Sequence, residues 1–160
     1  MAKEIDQKNS NNGEIVVWCD KYATGIPQID EQHHHLVNLT NQLYAACFAK
    51  EDVLHSTFKD AMSRMVEYVR FHFDAESKLL HEIKYPDYPE HKKMHDTLIN
   101  KILEAAKSYD GGKKFVPNNF VRTLVDWVFS HIAVYDKRYS AYAMDRLKNG
   151  FLTLEQLKAL

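Results

Sequence analysis

The sequence predicts an all-α fold, an antiparallel up-down four-helix bundle, on three observations. Only five of 160 residues are Gly and four are Pro, under half the roughly 12% of average usage, so the chain is poor in residues that make turns. Apolar residues recur in alternating steps of four and three along separate runs, the period of a helix face in a bundle. Short breaks divide these runs, and helices of about 20 to 32 residues joined by short loops pack most economically antiparallel.

Residues 1–13 are polar, end in Asn9-Ser10-Asn11-Asn12-Gly13 and have little to bury, so they are expected to form a flexible N-terminal arm ahead of a bundle spanning 14–150. Ile15 to Trp18 reads as a strand or as an extended segment lying on the domain. Gly25-Ile26-Pro27 then breaks the chain before the first helix, with Asp30 as its expected cap and His33, Leu36, Leu39 or Thr40, Leu43 and Cys47 along its inner face. The second helix carries Phe58, Met62, Met65, Val69, His72, Glu76, Leu79 and Ile83 on one stripe. A third follows Tyr85-Pro86-Asp87-Tyr88-Pro89, carries His91, His95, Leu98, Ile102 and Ala105, and stops by Gly111-Gly112. Pro117 suits the first turn of the fourth, which places Phe120, Leu124, Val128, His131 and Tyr135 near one face and ends around Asn149-Gly150. Residues 151–160 are expected to form a short helical tail.

A formal net charge of -1 gives no electrostatic footprint for nucleic acid or an anionic membrane. No apolar run approaches the roughly 18 residues of a membrane span, and residues 1–13 lack a hydrophobic targeting segment. Cys19 and Cys47 are too few for a disulfide framework. A cytoplasmic protein without nucleic-acid or membrane partners is expected.

The informative feature is where the nine histidines fall. His72 and Glu76 interrupt an apolar seam, where an unpartnered carboxylate costs several kcal/mol, so the two need a common reason to be inside. A metal supplies one. His72 and Glu76 are four residues apart, as are His91 and His95, so each pair lies on one helix face. His33 and His131 occupy the middle of the other two stripes. Asp136 follows His131 by five residues, about 140° round an ideal helix, so either its helix carries a local π-bulge or the carboxylate approaches from one side.

Five imidazoles and two carboxylates exceed the needs of one ion. In a dinuclear centre both carboxylates can bridge, and of about twelve positions on two six-coordinate ions one stays open after a shared oxo or hydroxo is counted. Iron, manganese and zinc all suit such donors, so ligand type alone leaves the metal open. The site has neither the carboxylate richness nor the paired Glu-x-x-His motifs of ferritin-like di-iron proteins, which points to binding more than to oxidative chemistry.

Four signatures in order resemble the hemerythrin family, specifically its bacterial single-domain members: Gly25-Ile26-Pro27-Gln28-Ile29-Asp30-Glu31-Gln32-His33, His72-Phe73-Asp74-Ala75-Glu76, His91-Lys92-Lys93-Met94-His95, and His131-Ile132-Ala133-Val134-Tyr135-Asp136. The resemblance covers roughly residues 15 to 145. It implies a four-helix bundle with two non-heme irons and a bridging oxo or hydroxo. One iron would be held by His91, His95 and His131, the other by His33 and His72, with Glu76 and Asp136 bridging. O2 would bind at the open position on the two-histidine iron, against apolar side chains at Leu36, Phe73, Trp127, Val128 and Ile132. The run His33-His34-His35 departs from the family's single His; His33 is taken as the ligand because it follows Asp30-Glu31-Gln32 and stands three before Leu36. His34, His35, His55 and His81 are read as surface residues.

The resemblance implies a reversible O2 carrier, store or scavenger rather than an enzyme. Two alternatives are a sensing module acting through a separate partner on the arm or tail, and a di-iron enzyme reducing peroxide or nitric oxide, for which Tyr139 stands near the Asp136 end as a possible donor of a proton or electron. No protein partner is identifiable from the sequence.

Overall fold

A computed structural model describes residues 14–48, 50–110 and 116–158; the arm expected at 1–13, the Gly111-Gly112 stop and the last two residues of the tail lie outside them. The helices are α1 (Pro27–Ala46), α2 (Glu51–Glu82), α3 (Tyr88–Asp110) and α4 (Val116–Trp127), which runs on through a π-helical segment (Val128–Asp136) into α5 (Lys137–Lys148), followed by the short α6 (Leu154–Lys158). Packing of α1 on α2, α2 on α3, α3 on α4 and α4 on α1 closes a ring of four rods, the expected bundle. No strand occurs among the described residues, and no helix among them is long and apolar enough to cross a membrane.

Local chemistry explains the ends. Helix α1 begins at Pro27 with no side-chain cap at Ile26, so Asp30 is not the N-cap expected from the sequence. Asp30 lies inside the first turn and reaches back, accepting hydrogen bonds from the Thr24 amide (2.6 Å), the Thr24 hydroxyl (2.7 Å) and the Gly25 amide (3.0 Å). A carboxylate there also suits the positive end of the helix dipole. At the far end of the fourth rod, Gly150 takes φ +74° and the Phe151 amide donates to the Arg146 carbonyl, the left-handed termination that glycine permits most cheaply.

The Ile15–Trp18 stretch is extended without forming a strand. The Asn41 side chain clamps it, accepting from the Ile15 and Val16 amides at 3.1 and 3.0 Å and donating to the Val16 carbonyl at 2.8 Å. One α1 side chain thus satisfies backbone groups that a neighbouring strand would otherwise have to pair.

The interior is layered along the bundle. One apolar cluster contains Leu36, Met65, Val69, Leu98, Leu124 and Ile132, and a second, toward the other end, contains Ile26, Ile29, Leu79, Ile83, Ala143 and Leu157. Each rod crosses from one cluster to the other through polar residues: His33 in α1, His72 and Glu76 in α2, His91 and His95 in α3, and His131 and Asp136 in the π-helical segment. All seven are buried.

Candidate metal centre

The seven polar side chains form two overlapping groups whose ligand atoms lie within 4.8 Å of one another in each: Glu76, His91, His95, His131 and Asp136 in one, and His33, His72 and Glu76 in the other. In the first, His95 Nε2 is 3.1 Å and His91 Nε2 3.6 Å from Glu76 Oε2, while His131 Nε2 and His91 Nε2 stand 3.1 and 3.5 Å from Asp136 Oδ1. In the second, His72 Nε2 is 3.5 Å from Glu76 Oε2 and His33 Nε2 3.8 Å from Glu76 Oε1. The other oxygen of Asp136, Oδ2, lies 3.2 Å from His33 Nε2. Both carboxylates therefore face both histidine groups, Asp136 with one oxygen toward each.

Asp136 joins the site because of the local helix type. The π-helical segment covers His131 through Asp136, and i→i+5 hydrogen bonding widens each turn so that residues five apart become neighbours along one face. Of the two routes left open by the sequence, the widened helix is the one adopted.

These residues pass a physical test for metal. His33 Nε2, His72 Nε2, His91 Nε2, Glu76 Oε2 and both oxygens of Asp136 are buried with no hydrogen-bond partner. Such groups are expensive to desolvate unless something else satisfies them, and these all border one space. His95 Nε2 and His131 Nε2 stand 2.9 Å apart, close enough for both to serve one cation.

The charge balance says the same. Burial works against ionisation of Glu76 and Asp136, yet the surrounding histidines, His72, His91 and His95 for Glu76 and His131 and His33 for Asp136, hold both carboxyls below their ordinary range, although the Glu76 charge itself opposes ionisation of Asp136. Burial likewise disfavours charge on His33 and His91, but the Asp136 carboxylate beside the first and Glu76 beside the second raise both imidazoles. Burial lowers His72 to about 3 and also lowers His95, with Glu76 opposing in both cases. Two buried carboxylates thus draw His33 and His91 toward the charged form while His72 and His95 are held neutral, a set of donors that suits a cation.

A pH prediction follows from His72. The imidazole stays neutral in the folded chain down to about pH 3 but takes a proton near 6.5 once unfolded. Its contribution to stability is therefore complete above 6.5 and is lost as pH falls toward 3. Thermal melts of metal-free protein should lose stability more steeply across that window in wild type than in His72→Gln.

Two supporting residues escaped the sequence reading or acquired a role in the structure. Gln32 Oε1 lies 2.8 Å from His72 Nδ1; an amide oxygen can only accept, so it holds the proton on Nδ1 and leaves Nε2 free as a donor to metal. Its place directly before His33 was the available signal. Tyr139 donates to Glu76 Oε1 at 2.5 Å, and burial, reinforced by the Glu76 and Asp136 charges, raises its phenol well above the ordinary value. Tyr139 fixes the carboxylate and retains its proton.

The apolar residues expected around an O2 site divide. Leu36, Val128 and Ile132 are buried in the first apolar cluster. Phe73 lies flat on His95, centroids 3.6 Å apart and planes at 2°, and is 5.6 Å from His72. Trp127 stacks on His131 at 4.4 Å. The two large rings thus lie chiefly over the three-histidine group, where they fix imidazole orientation. His34, His35, His55 and His81 are exposed, each beside an aromatic ring: Trp18, Tyr68, Tyr109 and Tyr88.

The hemerythrin HHE cation binding domain matches residues 24–143 of this chain. A bacteriohemerythrin of Pseudomonas aeruginosa is 30% identical over 146 residues, covering 86% of this chain and 93% of its own. One of Stenotrophomonas maltophilia is 28% identical over 127 residues, covering 79% and 80%. Among solved structures, a crystal structure of a hemerythrin point mutant has TM-score 0.74 at 24% identity, covering 81% of this chain and 97% of that one. A bundle interrupted by one layer of histidines and carboxylates, built on a match to the cation-binding domain over most of its length, makes this chain a member of the hemerythrin family.

Proposed function

We propose that this protein binds O2 reversibly at a non-heme di-iron centre, as a carrier, store or scavenger. The observation that carries the reading is the asymmetry of the buried site: three histidines on one side, two on the other, and two carboxylates facing both. Two ferrous ions held by these residues would supply reversible two-electron chemistry toward O2.

The residues of the chain do the rest. His91, His95 and His131 would fill one side with neutral donors, whereas His33 and His72 would leave the other one protein ligand short, and a small ligand would bind on that side. Glu76 and Asp136 offset the positive charge and tie the two sides together. Gln32 orients His72 and Tyr139 anchors Glu76, so neither ligand can swing away. Leu36, Phe73, Val128 and Ile132 are buried and keep water from this layer, with Trp127 half-buried at its edge. Because Tyr139 is committed to Glu76 and keeps its proton, it is poorly placed to serve as the acid of a peroxide- or nitric-oxide-reducing cycle, which weighs for binding over turnover.

Anaerobic reduction followed by O2 titration under optical monitoring tests the proposal. A coloured adduct that disappears under vacuum and returns with O2 is expected; irreversible oxidation accompanied by peroxide turnover would replace the carrier with an enzyme.

A further inference from the structure

We propose that the tail helix α6 is a positioning element for the metal site: Leu157 seals the space beneath Gln32 and so holds the Gln32 amide on His72. The consequence for metal rests on the di-iron reading; the packing argument does not.

Helix α6 is built to dock. Thr153 and Gln156 cap its start reciprocally, the Thr153 amide donating to Gln156 Oε1 at 2.9 Å and the Gln156 amide to Thr153 Oγ1 at 3.1 Å. The Gln156 side chain then reaches Glu82 of α2 at 3.3 Å. Leu152 and Leu157 bury themselves in the second apolar cluster, while Phe151 and Leu154 stay exposed. Five residues cannot hold a helix alone, so α6 persists through its two leucine anchors and this cap.

One anchor reaches the cavity beside Gln32. Leu157 lines a small cavity together with Ile26, Gln28, Ile29, Gln32, Ala75 and Leu79. Its volume of about 10 Å³ is at the lower limit for a single water. Apart from Gln28 and Gln32 the walls are hydrocarbon, and the hydrogen-bond partner the structure gives Gln32 is the His72 Nδ1 proton. Removing the Leu157 side chain opens this space to water, which competes for the Gln32 amide and lets the His72 ring exchange tautomers.

The test uses the full chain with Leu157→Ala, Gln32→Ala, the double variant and Leu157→Met. Nitrogen NMR of histidine-labelled, metal-free protein reads the His72 tautomer directly: wild type and Leu157→Met should hold the proton on Nδ1, whereas Leu157→Ala and Gln32→Ala should both show a mixture. In iron-loaded protein, transfer to a strong chelator should accelerate about 10-fold in each single variant, the usual effect of losing an outer partner of a metal ligand. The double variant should be no faster than either single one, because both act through one contact. An unchanged His72 tautomer in Leu157→Ala, or additive acceleration in the double variant, would overturn the proposal. If the chain takes up no iron, the di-iron reading fails while the NMR measurement still decides this one.

Discussion

Replacing His91 with alanine should remove the metal on the three-histidine side and lower the melting temperature of the metal-loaded protein by about 10 °C. His91 Nε2 stands 3.6 Å from Glu76 and 3.5 Å from Asp136, so it faces both shared carboxylates. Without it, two fully buried charges lose a common partner, a change that typically costs about 3–5 kcal/mol in a protein interior. For a domain of this size each kcal/mol shifts the melting temperature by about 2–4 °C. His33→Ala should differ: it leaves His91, His95 and His131 complete, so one metal per chain should remain. Metal counts and thermal melts of the two variants, compared side by side, check the assignment. Normal metal content in His91→Ala would show that this ring is no ligand.

The second large effect is expected at Glu76, because it belongs to both groups. Glu76→Gln keeps the shape and leaves an amide oxygen to accept from Tyr139, so the hydrogen bond now 2.5 Å long can persist. What disappears is one negative charge, and where the carboxylate offered a second oxygen lone pair to a cation the amide nitrogen offers only N–H donors. A histidine substitution affects one side of the centre; this one affects both, and occupancy should fall from two ions per chain to less than one. Metal-free Glu76→Gln should also lose stability, because the surrounding histidines favour the charge it removes, but by less than the metal-loaded form. Equal loss of stability in loaded and metal-free forms would mean that Glu76 serves packing alone.

How much of this was legible in the sequence depended on whether a residue obeyed helical period. The bundle, its four rods and the positions of His33, His72, Glu76, His91 and His95 follow from steps of three and four, and the structure brings those five residues into one layer. Asp136 broke the period, and no rule of an ordinary α-helix aims residues 131 and 136 at the same point; the widened π-helical turn does. Asp30 was legible as a helix-start residue but not in its role, because a carboxylate inside the first turn can reach back as readily as one at the boundary can reach forward. Gln32 could not be found by period at all: its role depends on α2 bringing His72 Nδ1 within 2.8 Å, a contact across 40 positions of sequence. Phe73 and Trp127 were recognisable as buried or half-buried aromatics, but which imidazoles they cover is set by rotamer and helix rotation, which the sequence pattern does not encode.

The centre itself is tested most directly by counting metal in protein purified without oxygen and reconstituted with ferrous iron. Two irons per chain are predicted, with His33→Ala retaining one and Glu76→Gln less than one. A single ion per wild-type chain, or zinc in place of iron, would contradict the account.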